Sequence, residues 1–349
     1  MPQSLPDIPM FDARSAGLIG YAAVRRETAL TLRNASFAPA PVFLSAPVLA
    51  GIDKLSMRWL RRSASPYVDD IEAMTHVLGF AGVASINMGY QFGCTTGASL
   101  DAQGLPLMRR VLDWPLNGLG RGIEVVRMRG AAGDYLNVTW PGAAGVLTAT
   151  APGRFCAAIN QAPLHRRTQM PVLKLVDIAR HLNHTLKYET GWPPDHLLRY
   201  AFETCRSFDD AVHLLMREPV ARPVIYSLAG EKPDEMVLIE RDGRGGRLYR
   251  GAFATANDWQ IALPEWEGRG IGRDKRQDNF ERRALLQRAQ AAGAGDFLWV
   301  AAPILNAHTR LAVEMNARGE VRLQGYELAR GAQRASPATR VGQFTLALT

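Results

Sequence analysis

The sequence predicts an α+β fold built on antiparallel sheets. Helical patterns fill most of the first hundred residues, short β-like runs begin after Cys94, helical patterns return over 171–218, and strands follow. Turns rich in glycine and proline separate the β-like runs, which is typical of antiparallel sheets. Helices and strands do not alternate as regular βαβ units, and this argues against a doubly wound parallel sheet.

Amphipathic spacing predicts the helices. Over 43–62, aliphatic side chains recur on one face while arginines lie elsewhere. Over 67–79, acidic residues fill the first turn and Gly79 marks the end. The apolar segment 82–92 fits a helix or a strand. Further helices are predicted over 193–206, 208–217 and 278–292.

Short runs between turn signals predict the strands. A final hairpin joins two of them through a turn at Asn316–Gly319. The predicted strands are 105–113, 122–128, 135–140, 145–150, 154–160, 222–228, 235–241, 247–253, 309–315 and 320–326.

Composition excludes several classes of protein. The 349 residues are 47% hydrophobic and 21% charged, which is ordinary for a globular chain and unlike a disordered one. Three cysteines are too few for a disulfide framework. The first residues lack the basic and apolar regions of a signal peptide, and no apolar run is long enough for a membrane span. The expected location is therefore the cytoplasm.

Charge and histidine spacing give weak signals. The net charge is +8, and the densest basic stretch, 269–283, is interrupted by acidic residues, which favours a solvated helix face. No nucleic-acid motif accompanies the charge, so nucleic acid is not an expected partner, whereas an anionic substrate or peripheral lipid contact stays open. His181 and His184 lack further ligands of a metal pattern, so we expect neither a metal nor another cofactor.

Cys94 is the strongest candidate for chemistry. It lies in a Gly-Cys-Thr-Thr-Gly run at the boundary between the helical segment and the strands. If 94–99 and 105–113 form a hairpin, Arg110 and Asp113 return beside it. A guanidinium favours the thiolate, and a carboxylate orients a proton donor. The alternative is a strand-end salt bridge beside an inert buried cysteine, and the pattern leaves both open.

This segment resembles the cholylglycine hydrolase and acid ceramidase superfamily of N-terminal-nucleophile (Ntn) hydrolases. Those enzymes begin their catalytic chain with a cysteine and carry Arg-Asn-x-Asp at the offset that Arg110 and Asp113 have here. Further segments resemble N-acylethanolamine acid amidase and the family's sheet core in the same order along the chain. They are Pro66–Glu72, Trp140–Gly142, Gly145–Thr148, Pro152–Phe155 with Asn160, Ala256–Trp259 and Glu281–Arg283.

Three positions depart from the family pattern or leave it open. Val111 replaces the usual asparagine after the arginine. Gly93 before the cysteine is similar to the penicillin acyltransferase branch, which is cut between glycine and cysteine. The family's later arginine matches Arg282 or Arg283, and the sequence does not choose between them.

The resemblance implies a four-layer αββα sandwich and a precursor that cleaves itself between Gly93 and Cys94. Residues 1–93 would form a helical segment that stays associated, and 94–349 the catalytic Ntn domain. The product would be an α/β heterodimer, with further oligomerisation left open.

The resemblance also implies roles for the site. Cys94 would attack the amide carbonyl of a small N-acyl substrate and form a thioester, with its own α-amine as base. Asn257, with Asn160 or a backbone N–H, would stabilise the oxyanion. Asp113 would orient the amine, Arg110 would lower the pKa of the thiol, and Arg282 would anchor the cluster.

Other functions stay open from the sequence. The same thioester, resolved by an amine instead of water, would make the chain an acyltransferase. Two alternatives remain. One is a non-catalytic binding protein that keeps the fold, and the other is a basic protein that binds nucleic acid or membranes. The apolar residues in 43–60 and 82–92 would either line an acyl groove or belong to the core.

Overall fold

The computed structural model describes residues 4–37, 46–88, 93–166, 180, 183–243, 245–270 and 274–347. Its helices are α1 Gly17–Val24, α2 Arg26–Phe37, α3 Ala46–Leu60, α4 Val68–Leu78, α5 Val83–Ile86, α6 Pro194–Thr204, α7 Phe208–Arg217 and α8 Lys275–Ala291. The first eight strands are β1 Met10–Asp12, β2 Gly93–Leu100, β3 Pro106–Asp113, β4 Glu124–Gly130, β5 Gly133–Thr139, β6 Thr148–Ala151, β7 Phe155–Gln161 and β8 Leu164–His165. The others are β9 Val224–Ala229, β10 Met236–Arg241, β11 Gly246–Arg250, β12 Phe253–Thr255, β13 Trp266–Glu267, β14 Thr309–Met315, β15 Glu320–Glu327, β16 Ser336–Pro337 and β17 Gly342–Thr345.

Two large sheets form the centre. The first has the strand order β1-β4-β5-β6-β7-β9-β10-β11, and the second has the order β12-β2-β3-β14-β15-β16 with β17 beside β15. The edge strand β1 runs parallel to β4, which the sequence did not predict. The strands of these two sheets that lie between residues 93 and 345 pair antiparallel with their neighbours, as predicted. Strands β8 and β13 form a small third sheet.

The sheets face each other and carry helices on their outer faces. Cys94, Leu112 and Val313 of the second sheet share a buried core with residues of the first sheet such as Val125 and Ala158. Helices α6 and α7 cover the other face of the first sheet. Helix α8 covers the other face of the second sheet through buried side chains such as Leu286. The order of layers is therefore αββα, as predicted.

The helices before Cys94 share a core with the helical layer on the first sheet. Leu18, Trp59 and Ile71 of α1, α3 and α4 are buried in the same cluster as Leu197 and Phe208 of α6 and α7. Burial of aliphatic and aromatic side chains is the main favourable term in such packing. The segment is consequently part of the folded body.

The predicted helices agree with the structure in most places. Helix α4 ends at Gly79, whose φ of 67° is the left-handed conformation that glycine adopts most easily. The ambiguous segment 82–92 contains the short helix α5, and 89–92 lie outside the described residues, as do 171–179 and His181. The predicted strand 247–253 divides into β11 and β12. Within the described ranges, no helix is both long and apolar enough to cross a bilayer.

Candidate active site

The hairpin of β2 and β3 places the candidate residues. Cys94 lies opposite Leu112 in the ladder, and Gly93 lies opposite Asp113. Successive side chains of a strand point to opposite faces of a sheet. Arg110 therefore lies on the inter-sheet face with Cys94, whereas Asp113 lies on the face that α8 covers. These two described residues form no strand-end ion pair with each other, because they lie on opposite faces of β3.

On the inter-sheet side, one arginine contacts the thiol. Arg110 Nη2 donates to Cys94 Sγ over 3.3 Å. Its Nη1 donates to the carbonyl oxygen of Leu147, which fixes the guanidinium between the sheets. The thiol itself donates to the carbonyl oxygen of Ile159 over 3.6 Å. Both Cys94 and Arg110 are fully buried, so their charges are poorly solvated.

Burial decides the protonation of this thiol in the intact chain. Burial raises the pKa of Cys94 to about 11, against the opposing pull of the Arg110 guanidinium, while Asp113 adds to the increase. Burial also lowers the pKa of Arg110 from its ordinary value, although the nearby thiol opposes that shift. Cys94 is therefore a thiol near neutral pH as long as it lies inside an unbroken strand.

On the other side of β2, polar groups hold the backbone of Cys94. Its N–H donates to Asn257 Oδ1 over 2.7 Å. Arg282 Nη1 donates to the Cys94 carbonyl oxygen over 2.8 Å and to Thr95 Oγ1 over 3.1 Å. The same Nη1 lies 3.4 Å from Asn257 Oδ1. The nitrogen that would become an α-amine on cleavage already has an acceptor beside it.

Asp113 lies against Gly93. A Cβ on Gly93 would stand 3.2 Å from Asp113 Cβ, so a larger residue would crowd this position. Asp113 Oδ1 accepts from Thr309 Oγ1 over 2.9 Å, and Oδ2 lies 4.0 Å from Arg282 Nη1. Burial raises the pKa of the Asp113 carboxyl, although Arg282 and hydrogen bonds from Asn306 and Thr309 lower it.

The two candidate oxyanion residues occupy different positions. Asn257 lies at the Cys94 nitrogen, and its Nδ2 donates one hydrogen to the Gln161 carbonyl oxygen over 2.8 Å. Asn160 accepts from Thr96 Oγ1 over 2.6 Å and donates to the Ala256 carbonyl oxygen over 2.9 Å. Asn160 therefore ties β2 and β7 to the segment that carries Asn257. The role of either residue at an oxyanion stays a prediction.

The structure distinguishes the two adjacent arginines. Arg282 reaches the backbone of Cys94, whereas Arg283 pairs with Asp258 over 3.0 Å. Arg282 is 2% exposed, so the predicted solvated face of this helix is wrong at this position. Sequence reasoning also missed Asp278 and Asn279, which lie four and three residues before Arg282 and contact it at 2.9 and 3.0 Å. Their helical i,i+4 and i,i+3 spacing is a signal that could have found them.

A largely apolar cavity of about 350 Å³ is connected to the candidate site through Leu147. It forms between helices of the segment before Cys94 and loops of the sheets, and Leu147 is one of its walls. The carbonyl oxygen of Leu147 accepts from Arg110, which also contacts the thiol. The other lining residues include Ala29, Leu32, Ile86, Trp114, Leu119, Trp140 and Asp195.

Comparison with known proteins gives partial sequence matches. No protein-family model matches the chain. The chain is 26% identical over 204 residues to an N-acylethanolamine-hydrolyzing acid amidase of Oryctolagus cuniculus, covering 57% of this chain and 54% of that protein. The Mus musculus protein of the same name is 26% identical over 187 residues, covering 52% of this chain and 48% of that protein. The chain thus spans about half the length of the curated relatives it matches, and these matches confirm the resemblance inferred from the motifs.

Solved structures give weaker matches. A Caenorhabditis elegans N-acylethanolamine-hydrolyzing acid amidase ortholog aligns with a TM-score of 0.49 and 20% identity, covering 64% of this chain and 93% of that chain. A mutant of a conjugated bile acid hydrolase from Clostridium perfringens aligns with a TM-score of 0.43 and 10% identity, covering 72% of this chain and 97% of that chain.

Proposed function

We propose that this chain, a relative in sequence of N-acylethanolamine-hydrolyzing acid amidases, is a self-cleaving Ntn cysteine amidohydrolase that hydrolyses the amide bond of a small N-acyl compound. One observation carries the proposal. The thiol of Cys94 contacts Arg110 while the nitrogen and oxygen of the same residue are held by Asn257 and Arg282. The buried backbone of a structural cysteine also needs hydrogen-bond partners, but within a sheet neighbouring strands normally supply them, whereas here an asparagine and an arginine side chain do so.

Self-cleavage begins with an N-to-S acyl shift. Cys94 Sγ attacks the Gly93 carbonyl carbon, the bond from that carbon to the Cys94 nitrogen breaks, and the thiol proton ends on the nitrogen. Water then hydrolyses the thioester, which leaves a carboxylate on Gly93 and a free thiol and α-amine on Cys94. Glycine before the nucleophile presents no side chain to obstruct the attack.

Cleavage supplies the base that the intact chain lacks. An α-amine has an ordinary pKa of about 7.7–8.0 and so accepts the thiol proton near neutral pH. The thiolate attacks the amide carbonyl of the substrate, the amine leaves with a proton, and water releases the acid from the thioester. The hydrogen bond from the Cys94 nitrogen to Asn257 Oδ1 supports a role for Asn257 in orienting the α-amine, and its Nδ2 is the candidate donor to the oxyanion.

The two fragments are expected to remain together as a heterodimer. Side chains on both sides of the cleavage position share one buried cluster, so separation would expose that surface. The cavity of about 350 Å³ beside Leu147 is the candidate site for the acyl group, because Leu147 lines it and accepts a hydrogen bond from the arginine that contacts the thiol.

The mass of the purified protein tests the proposal. We expect wild type to separate under denaturing conditions into fragments 1–93 and 94–349, and Cys94→Ala to stay whole. Cys156→Ala is the matched control, because it changes a cysteine that is equally buried, and it should cleave like wild type. Wild type that stays whole under all conditions, or Cys94→Ala that cleaves, would contradict the proposal.

Products identify the reaction. Cleaved enzyme incubated with N-acyl amides should release free acid. A new amide formed at the expense of the acid, when an amine acceptor is added, would assign the chain as an acyltransferase.

A further inference from the structure

A β-bulge in β14 places a threonine opposite Asp113. Thr309 pairs with Asp113 in the ladder of β14 and β3, and the next pair is Leu311 with Leu112. Over this step β14 therefore has one residue more than β3, and Arg310 is the extra residue. In an unbroken ladder counted from Leu311, Arg310 would stand opposite Asp113. Bulges of this kind re-aim side chains and are frequent next to active sites.

The bulge puts a neutral hydroxyl beside the carboxyl in place of a cation. The buried guanidinium of Arg310 turns to the loop after β3, where it donates to the Leu116 carbonyl oxygen over 2.7 Å and to Asn117 Oδ1 over 2.8 Å. A second guanidinium beside Asp113 would hold the carboxyl in its charged form. Thr309 adds no charge there, so the carboxyl keeps the ability to take up a proton.

The Thr309 hydroxyl has one hydrogen and two acceptors within reach. Its Oγ1 lies 2.9 Å from Asp113 Oδ1 and 3.3 Å from the Ile304 carbonyl oxygen, and it accepts the N–H of Asn306 over 3.0 Å. The hydroxyl donates to Asp113 when the carboxyl is charged. When Oδ1 carries a proton, Asp113 donates to Thr309 Oγ1 and the hydroxyl donates to Ile304. Thr309 serves both states because a hydroxyl both donates and accepts.

The bond from Thr309 leaves the other carboxyl oxygen at the proposed cleavage position. A Cβ built on Gly93 would lie 3.4 Å from Asp113 Oδ2. In the proposed function, Gly93 supplies the carbonyl carbon of the bond that breaks, and the Cys94 nitrogen leaves. A carboxylate beside this nitrogen favours its protonated form, because opposite charges attract. Self-cleavage should therefore depend on both the orientation and the ionisation of Asp113.

We propose that Thr309 is a positioning residue that holds Asp113 against the Gly93–Cys94 bond in both protonation states of the carboxyl. This inference rests on the proposed function, which makes that bond the site of self-cleavage. Asp113 and Thr309 are 2% and 0% exposed. Solvent therefore does not replace the hydroxyl, and its loss should leave the carboxylate short of one donor.

Several charged and titratable groups surround Asp113. They are Arg282 and Asp278 of α8, Cys94 of β2, Arg110 of β3, His308 before β14 and Arg310 within it. Burial raises the pKa of Asp113, although Arg282 and hydrogen bonds from Asn306 and Thr309 oppose the rise. Substitutions at Thr309 leave all these charges in place, so a change in the titration of Asp113 reports the hydroxyl.

Titration of the Asp113 carboxyl tests the inference directly. Carbon-13 NMR of the carboxyl carbons in Cys94→Ala, which is expected to stay whole, gives the titration midpoint, and Asp113→Asn assigns the signal. Thr309→Val removes the hydroxyl at nearly constant volume, so the midpoint should rise by about 1 pH unit, the usual effect of one hydrogen bond to a carboxylate. Thr309→Ser keeps the hydroxyl and should titrate like the Cys94→Ala parent.

Thr150→Val is the matched control. Thr150 is as fully buried as Thr309, and its hydroxyl donates to the Asn316 carbonyl oxygen over 2.6 Å. This substitution should leave the Asp113 midpoint unchanged. If valine at 309 prevents folding, Thr309→Ala beside Thr309→Ser repeats the comparison, because alanine and serine differ only in the hydroxyl. Equal Asp113 midpoints with and without the hydroxyl would overturn the proposal.

The pH profile of self-cleavage tests the consequence for the reaction. Chains made by cell-free synthesis and transferred to buffers of different pH give the rate of fragment formation. In Thr309→Val the acid side of the profile should move to higher pH by the same amount as the titration, and Thr309→Ser should restore it. A loss of rate that is equal at every pH would overturn the positioning role, since a general loss of structure gives that result.

The two measurements separate failure of this inference from failure of the proposed function. If no chain cleaves at any pH, the proposed function fails, and the NMR titration still decides whether Thr309 controls the protonation of Asp113. If wild type cleaves and the midpoint of Asp113 does not move in Thr309→Val, the role of Thr309 falls while the proposed function stands.

Discussion

Cys94 and Cys156 are two cysteines of the same core with different surroundings. They lie on facing sheets, in β2 and β7, and both are fully buried. Burial raises the pKa of Cys94 to about 11 and that of Cys156 to about 12. The thiol of Cys156 meets the carbonyl oxygen of Met315 at 3.8 Å, whereas that of Cys94 meets the guanidinium of Arg110 at 3.3 Å.

The comparison shows that burial does not identify a nucleophile. In the intact chain both thiols stay protonated near neutral pH, so Cys94 is nearly as inert as a structural cysteine. What differs is the polar cluster around its backbone and its place as the second residue of a strand. Activation is therefore expected from a change at the Cys94 nitrogen, and the variants below test each part of this difference.

The largest effect on activity is expected from replacing Cys94 with alanine, and the same replacement at Cys156 is the comparison. Cys94→Ala should remove amide hydrolysis down to background, because Cys94 supplies the thiol that contacts Arg110, and Cys156, also in the described part of the chain, meets Met315 instead. Cys156→Ala should keep hydrolysis within a few fold and cost about 1 kcal/mol of stability from lost packing. Turnover of an N-acyl amide and thermal unfolding measure the two effects. Hydrolysis that survives in Cys94→Ala would remove Cys94 from the site.

Asn257 should give the next largest effect, and two substitutions separate its two proposed roles. Asn257→Ala should reduce kcat by about 10²–10³, the usual loss for one oxyanion donor. Asn257→Asp keeps an acceptor for the Cys94 nitrogen but removes the NH₂ donor. Single-turnover rates on material that has already been cleaved give the chemical step alone.

The two variants then discriminate between the roles. If Asn257 stabilises the oxyanion, Asp is as harmful as Ala. If its main part is to hold the α-amine, Asp retains most of the rate. An Asn257→Ala enzyme with unchanged kcat would exclude both roles.

Arg110 should shift the ionisation of the Cys94 thiol. Removing its charge in Arg110→Met disfavours the thiolate, so the pKa of the thiol should rise by about 1 to 2 units. Arg110→Lys keeps a positive charge and should give a smaller rise. The pH dependence of alkylation by a small electrophile, measured on cleaved enzyme lacking Cys156 and Cys205, reports this pKa. An unshifted profile in Arg110→Met would mean that the guanidinium serves only to bind Leu147.

The smallest expected effect concerns Asp113, whose titration makes the stability of the fold depend on pH. Burial raises its pKa, so the folded chain holds this proton more tightly than the unfolded chain does. Its contribution to stability is therefore lost as the pH rises from about 3.9 through the raised pKa. In the Cys94→Ala background, Asp113→Asn should unfold at neutral pH at an equal or slightly higher temperature, by about 1 to 3 °C.

Asp134 is a control whose pKa is shifted in the opposite direction to that of Asp113. Although burial opposes them, Arg129 and Arg127 hold its pKa below the ordinary value. Its stabilisation is present above the ordinary pKa of an aspartate and is lost as the pH falls through the lowered one. Asp134→Asn should therefore unfold at a lower temperature at neutral pH. If Asp113→Asn also unfolds at a lower temperature, Asp113 is stabilised as a carboxylate and the argument from burial is wrong.

Local patterns determined most of the architecture. Turn residues between short alternating runs fixed the strands around Cys94, and the hairpin of 94–99 with 105–113 followed from their spacing. That hairpin brought Arg110 to the thiol, which is one of the two outcomes that the pattern alone left open. The parallel edge strand β1 was missed because three residues carry too little pattern to identify a strand or its partner.

The tertiary structure decided the groups on the other side of β2. Asn257 meets Cys94 across 163 residues of chain, and Arg282 meets it across 188. No local periodicity encodes such contacts, and only the family resemblance pointed to these residues. Arg282 and not Arg283 contacts the backbone of Cys94, because helix α8 directs Arg282 toward β2 and Arg283 toward Asp258. The cavity likewise arises where α2, α5 and α6 meet the sheets, and these elements lie far apart in the sequence, so local patterns do not reveal it.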